Sequence, residues 1–197
     1  MEDATTPRWH EEANLLLEFL ESFAFDRQLV LASSPYLTSQ RFYDLCMQYE
    51  VRTAADLKNV LGDKYTSELL AKNMQEAVLF TRQIQTPVHP FVVNPTAFTA
   101  RNWTEQNYLD FWNRVISRKC RTIYFNRNWQ FSNCCAHAYL SGLRVGARHF
   151  NHTGNSLSLD AGKKLIRSAI ANLEDLGFDV ANLQTVFAEI RSWAGLG

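Results

Sequence analysis

Residues 120–146 hold the side chains whose types and spacing best suit chemistry. The segment predicts a buried strand at 121–125, a polar turn at 126–133 that contains Trp129, and a helix that begins near 132–134. Open α/β sheets bind ligands where a loop leaves the carboxyl end of a strand and enters a helix. The N–H groups at such a helix start favour an anion, so we expect a phosphate or carboxylate group beside Ser132.

Two further loops are expected at the same edge of the sheet. They follow predicted strands at 28–32 and 91–94 and occupy residues 33–37 and 94–103. Aromatic rings supply flat faces for a nucleobase, while serine and asparagine offer neutral polar contacts. The three loops together therefore predict a pocket for a nucleoside or nucleotide. Its candidate residues are Ser33, Ser34, Tyr36, Asn94, Trp103, Trp129, Ser132 and Asn133.

An ordinary structural role is an equal alternative for two of these residues. Trp129 fits core packing as well as ligand stacking, and Asn94, followed by Pro95, fits a turn that ends a strand. Metal chemistry has less support, because the four cysteines include no C-x-x-C pair and the five histidines are scattered. We therefore expect neither a metal site nor a cofactor.

The elements that must position this pocket alternate between helices and strands. Apolar spacing predicts helices at 9–25, 39–49, 53–61, 65–84, 103–118, 159–176 and 180–193. Thr104 is a plausible helix cap, and Thr66 or Ser67 is expected to open the long helix. Three strands separated by helices predict the α/β class, with a small doubly wound parallel sheet of Rossmann-like type. Residues 148–158 read as a polar loop that could contain a short strand.

Composition and length bound the functional class. The formal net charge is zero, so no basic field draws the protein to nucleic acid. No apolar run approaches the ~20 residues that span a bilayer, and the first residues, MEDATTPRWHEE, do not resemble a signal peptide. We expect a cytoplasmic protein with one domain over residues 1–197. Its core is expected at 28–146, with helical extensions at 1–27 and 147–197.

Four sequence pieces occur in an order that resembles the nucleoside 2-deoxyribosyltransferase-like superfamily. They are SSPY after the first strand, VVNPTAF after the second, NWTEQNYLDFWNRVI, and FNRNWQFSNCCAHAYLSGLRVG. The resemblance covers about residues 28–146 and ends in the family pattern W-x-x-S-x-G-C-x-x-E. It implies cleavage of the N-glycosidic bond of a nucleoside or nucleotide, by hydrolysis or by transfer to another base. It also implies a homo-oligomer.

The family pattern assigns roles to individual residues of this chain. Ser132, Asn133, Cys134 and Cys135 match the S-x-G-C portion, with Cys134 in place of the glycine. In the family, the glutamate that ends the pattern is the nucleophile, because positive charge grows on the sugar in the transition state. Counting along the motif, that position falls on Ala138.

Other positions complete the implied site. The second family acid lies on the helix before the third strand, where Asp110 is the nearest candidate and Glu105 the next. The implied binding set also includes Pro35 and His137. His137 points about 100° away from position 138 around an ideal helix, which makes it a poor substitute nucleophile.

Three explanations of Ala138 compete. It is an engineered Glu→Ala substitution that traps substrate in an inactivated enzyme, a natural loss in a ligand-binding relative, or an ordinary helix residue outside a true alignment. We favour the first, because the surrounding motif is well kept. The alternatives for function are a non-catalytic module that senses a nucleotide or binds a protein, and an NAD-cleaving immune effector or toxin.

Overall fold

One parallel sheet organises the chain. A computed structural model describes residues 8–24, 29–89, 91–98, 100 and 103–194. Within them the strands are β1 (Leu29–Ser33), β2 (Val92–Val93), β3 (Cys120–Phe125) and β4 (Arg148–Phe150). They pair in the order β2-β1-β3-β4, all parallel, and helices flank the sheet. The predicted α/β class with a doubly wound, Rossmann-like parallel sheet is therefore confirmed.

Capping residues position the helices as the sequence predicts. Thr104 and Asn107 form a capping box at one helix start, and Ser132 accepts from the Cys135 N–H at another. Phe25 is predicted to end the first helix and Gln28 to begin the first strand, and both residues lie outside the described part of the chain.

The described helices are α1 (Arg8–Ala24), α2 (Gln40–Gln48), α3 (Ala54–Leu61), α4 (Ala71–Ile84), α5 (Glu105–Lys119), α6 (Asn133–Arg144), α7 (Leu159–Asp175) and α8 (Ala181–Ala194).

One local prediction is wrong and another is confirmed. Thr66 and Ser67 do not open the long helix, because both lie inside a π-helical turn (Thr66–Leu70) that continues into α4. The polar loop after α6 does contain a short strand, β4, which pairs with β3 and adds a fourth member to the sheet. Phe150 of that strand also bridges to Ser156 in an antiparallel sense.

Alternation of side chains along the strands separates two faces of the sheet. Leu31 and Phe125 belong to the main core, on the face that α5 and α6 cover. Val30 belongs to a smaller core cluster with Phe80 of α4, on the opposite face. A ligand site at the sheet edge can therefore lie on either face.

The C-terminal helices cover the core, as their apolar faces predict. α8 packs against α6 and α7, and the main core cluster extends from Ala13 of α1 to Ile190 of α8. Their buried side chains include Ile166, Leu173, Leu183 and Val186. Among the described helices, none has the length and apolar character needed to cross a membrane.

The strand order reverses beside β1. The chain passes from β1 to β2 on one side and then crosses to β3 on the other, so the crevice of the sheet lies between the ends of β1 and β3. Ser33 pairs with Phe125 in the register, and the Asn126 N–H donates to the Ser33 carbonyl at 2.9 Å. The loops after β1 and β3 therefore leave the sheet at the same level.

Candidate functional site

A small cavity lies between α5 and α6 at the end of β1, and we call it the α5–α6 cavity. Its volume is ≈ 50 Å³. On α5 its wall is mainly apolar, with Tyr108 and Asn113 as the polar members. The remaining polar and small side chains come from the β1 end and from α6; they are Ser33, Ser34, Cys134, Cys135, His137 and Ala138. The β1 loop and the α6 start thus meet here, as their places at the sheet edge predict.

Ala138 lies on the wall of this cavity and is 7 % exposed. Among the described residues that line the cavity there is no aspartate or glutamate. The resemblance places the nucleophile at position 138. The residue at that position lines the cavity, but it carries no carboxylate. A carboxylate at 138 would face a space of a few water volumes, since one buried water needs roughly 10–15 Å³.

Ser34 is the most unusual polar group of the cavity. Its side chain is 7 % exposed, and its Oγ makes no hydrogen bond with any described residue. Ser33, which precedes it, hydrogen-bonds the Cys135 thiol. A buried hydroxyl without a partner costs roughly 1–3 kcal/mol, so the Ser34 Oγ is a hydrogen-bonding group that no described side chain satisfies.

The two adjacent cysteines are poor nucleophiles. Burial raises the pKa of Cys135 to about 11, although hydrogen bonds with Ser33 and Ser132 oppose that shift. Burial, followed by the Glu105 carboxylate, raises the pKa of Cys134. Both thiols therefore remain protonated near neutral pH, and thiolate chemistry at this site is not favoured.

His137 lies on the cavity wall together with Ala138. Its place in the predicted binding set therefore agrees with the structure, since the cavity runs along α6 and contacts consecutive residues. Burial is the main cause that lowers the pKa of His137, while Glu189 raises it and Arg144 lowers it further. The imidazole is consequently neutral at pH 7, so it can donate one hydrogen bond and accept another.

The two candidate acids lie outside the cavity wall. Asp110 accepts a hydrogen bond from Gln106 at 2.9 Å and is close enough to His137 to raise its pKa slightly. Glu105 lies at the start of α5, with its Oε1 4.0 Å from the Cys134 Sγ. Neither carboxylate is among the described residues that line the cavity, so neither replaces a carboxylate at position 138 in this arrangement.

Both candidate tryptophans serve packing. Trp129 is 3 % exposed, and its ring centroid lies 4.7 Å from Phe125 and 5.0 Å from Tyr139 in the core. Trp103 donates from its indole Nε1 to Glu12 at 3.0 Å and stacks edge-on against Phe111. The prediction that these rings meet the serines in one pocket is wrong, because each is held by apolar neighbours elsewhere.

Several other predicted binding residues shape loops. The Asn94 side chain accepts from the Thr96 N–H at 3.0 Å and so forms the turn that ends β2, the structural alternative noted for it. Ser132 caps α6. The N–H of Asn133 donates to the Thr38 Oγ1 at 3.2 Å and ties the α6 start to the β1 loop.

A larger polar groove lies on the opposite face, and we call it the α2–α4 groove. Its volume is ≈ 650 Å³. It is formed by the loop after β1, by α2 and α4, and by the turns after β3 and β4. Pro35, predicted at the other site, lines this groove instead. The groove could not be predicted from the sequence, because its residues come from five separate segments without a common motif.

Asn73 of α4 connects this groove to the β1 loop. Its side chain is 3 % exposed and makes three hydrogen bonds. Its Nδ2 donates to the Tyr36 carbonyl at 2.6 Å and to the Ser39 Oγ at 3.0 Å, and its Oδ1 accepts from Arg41 at 2.8 Å. Tyr36, predicted as a binding residue, is thus held through its backbone, and the loop between the two sites is fixed.

Neither similarity to known proteins nor a metal-binding cluster among the described residues identifies this site. The chain matches no protein-family model, no curated protein and no solved structure in the comparisons made. Within the part of the chain that the structure describes, no group of three or more histidine, cysteine, aspartate or glutamate side chains is arranged to hold a metal ion.

Proposed function

We propose that this chain binds a nucleoside or nucleotide at the α5–α6 cavity and, with alanine at position 138, does not cleave its N-glycosidic bond. The observation that carries the proposal is the Ser34 hydroxyl, which is buried and unpartnered in the cavity that Ala138 lines. A hydroxyl in that place would donate to a carboxylate at 138, or to an oxygen of a bound sugar. The motif resemblance supplies the substrate class.

The chemistry at issue is displacement at the anomeric carbon. With glutamate at 138, a carboxylate oxygen would form a bond to that carbon as the carbon–nitrogen bond to the base breaks. The electron pair leaves with the base, which takes a proton, and water then hydrolyses the glycosyl ester. Alanine has no oxygen for the first step, so the chain as it stands is expected to bind without turnover.

Neutral polar groups of the cavity suit the binding half of this function. Asn113 is held by a hydrogen bond from the Ser141 Oγ at 2.6 Å, which fixes its amide at the wall. His137 is neutral near pH 7, because burial lowers its pKa. These groups offer hydrogen bonds to sugar hydroxyls without adding charge.

Size sets a further requirement. Sites for ligands of nucleoside size occupy roughly 300–1,000 Å³, and the α5–α6 cavity has ≈ 50 Å³. The proposal therefore requires that the cavity widen on binding, between Pro95 and α5, which both line it. Amide hydrogen exchange of α5 and of residues 96–98 should change when a nucleoside is added.

The decisive experiment is Ala138→Glu, assayed by chromatography for free base with nucleosides, deoxynucleosides, nucleotides and NAD. We expect the variant to release base at least about tenfold faster than the unchanged chain, which equals about 1.4 kcal/mol of barrier. Ala138→Gln is the matched control, since it fills the same space without a nucleophilic carboxylate.

The unchanged chain is used in the second part of the experiment, which measures binding. It should bind the same substrate, measured by calorimetry, and leave it intact. A folded Ala138→Glu variant that binds intact substrate yet releases no base would contradict the interpretation of this chain as an inactivated N-glycosidase. That result would support a nucleotide-sensing module. Absence of binding by both proteins would overturn the proposal as a whole.

A further inference from the structure

The α2–α4 groove is separate from the proposed nucleoside cavity. It lies on the face of the sheet that α4 covers, whereas the α5–α6 cavity lies on the other face. Its volume of ≈ 650 Å³ lies within the range of small-molecule sites. It also occupies the carboxyl ends of β1, β3 and β4, where open α/β sheets bind ligands.

Charge in the groove is balanced. Arg41 forms an ion pair with Glu76, and Asp44 accepts a hydrogen bond from Gln40 at 3.0 Å. Arg127, at the β3 turn, is the second cation of the wall. The two arginines and two carboxylates that line the groove cancel in formal charge, so the groove favours neither an anion nor a cation.

The rest of the polar wall consists of amides and hydroxyls. Gln40, Gln83, Asn126 and Asn128 each carry a donor and an acceptor, and Thr153 adds a hydroxyl. A ligand with many hydroxyl groups needs this mixture, because each hydroxyl both donates and accepts.

Apolar surface adjoins these polar groups. Leu79 and Phe80 of α4 line the groove, with Leu79 exposed and Phe80 buried in the smaller core cluster. Tyr124 packs against that cluster and stacks on Phe150 with ring centroids 4.9 Å apart, beneath the groove wall. Apolar side chains beside planar polar side chains are an arrangement that suits a sugar ring.

We propose that the α2–α4 groove binds a neutral saccharide of about two sugar rings. Binding relies on hydrogen bonds with the charged and amide side chains and on contact with Leu79 and Phe80. It does not depend on the nucleoside site, and neither proposal requires the other.

The test is binding of a panel of neutral di- and trisaccharides to the full chain, by saturation-transfer NMR and calorimetry. We expect at least one to bind with a Kd below about 1 mM, and expect the Kd to change less than about twofold between low and high salt, as for an uncharged ligand. Asp44→Ala and Gln83→Ala should each weaken binding at least fivefold (about 1 kcal/mol). Lys164→Ala, an exposed position on α7, is the matched control.

Three outcomes would overturn the proposal. One is that no saccharide of the panel binds. Another is that binding is equal in the Asp44→Ala, Gln83→Ala and Lys164→Ala proteins, provided that their melting temperatures match. The third is that nucleosides bind to the unchanged chain and that this binding is abolished by Asp44→Ala but not by Ser34→Ala. That result would assign the groove to nucleosides. That last result would also overturn the proposed function, whereas the first two leave it unaffected.

Discussion

Gly142 of α6 lies directly against the imidazole of His149 on β4. A Cβ added at position 142 would lie 2.1 Å from the His149 Nε2 and 2.8 Å from the Ile123 side chain. His149 is 6 % exposed and packs between Phe125 and Tyr139. The absence of a side chain at 142 therefore allows α6 to approach the sheet closely beside the candidate site.

Gly142→Ala should consequently destabilise the protein. Alanine normally stabilises a helix interior by about 1 kcal/mol over glycine, but the overlap with the imidazole should outweigh that gain, for a net loss of about 1–3 kcal/mol. Urea unfolding would measure the change. In the His149→Ala background the cost of Gly142→Ala should shrink, and an equal cost in both backgrounds would show that the contact is not its cause.

The same histidine makes stability depend on pH. Burial lowers the pKa of His149 to about 4, and its Nε2 has no hydrogen-bond partner among the described residues. The unfolded chain takes up the proton near pH 6.5, whereas the folded chain resists it until about pH 4. Stability is thus complete above pH 6.5 and falls as the pH drops towards 4, by up to about 3 kcal/mol.

Chemical unfolding at several pH values would check this dependence. His149→Phe removes the titrating group while keeping a ring in the same pocket, so its stability should vary less between pH 6.5 and 4. Since His137 is also buried with a lowered pKa, it contributes in the same direction, and the comparison isolates His149. A pH profile unchanged in His149→Phe would refute the assignment.

Local sequence signals predicted much of the fold. The apolar strands and helix caps act over a few residues, which is why Thr104 and Ser132 are where the pattern puts them. β4 has three residues within a polar segment and exists through its pairing with β3, a contact that no local pattern contains. Thr66 lies inside a π-helical turn that has no side-chain cap, so a residue type suited to capping did not fix the start of that helix.

The candidate site was only partly predictable. Strand order brings Ser34 and the α6 start together, and that follows from the alternation of elements. The alternation of elements does not determine the direction of a loop side chain. The Trp129 ring, for example, packs in the core beside Phe125. The α2–α4 groove was missed because its polar residues also fit ordinary solvated helix faces.

The last prediction contrasts two buried serines near the α5–α6 cavity. Ser34→Ala removes a hydroxyl that has no partner, so it should raise the free energy of unfolding by about 1 kcal/mol. Ser141→Ala removes a hydroxyl that donates to Asn113 at 2.6 Å, so it should lower that free energy by about 1–3 kcal/mol. Thermal melts of both variants, with nucleoside titrations of Ser34→Ala, would measure the contrast. If the Ser34 hydroxyl serves a ligand, the more stable Ser34→Ala protein should bind nucleoside more weakly, whereas a stability loss would mean that Ser34 has a partner in the folded protein.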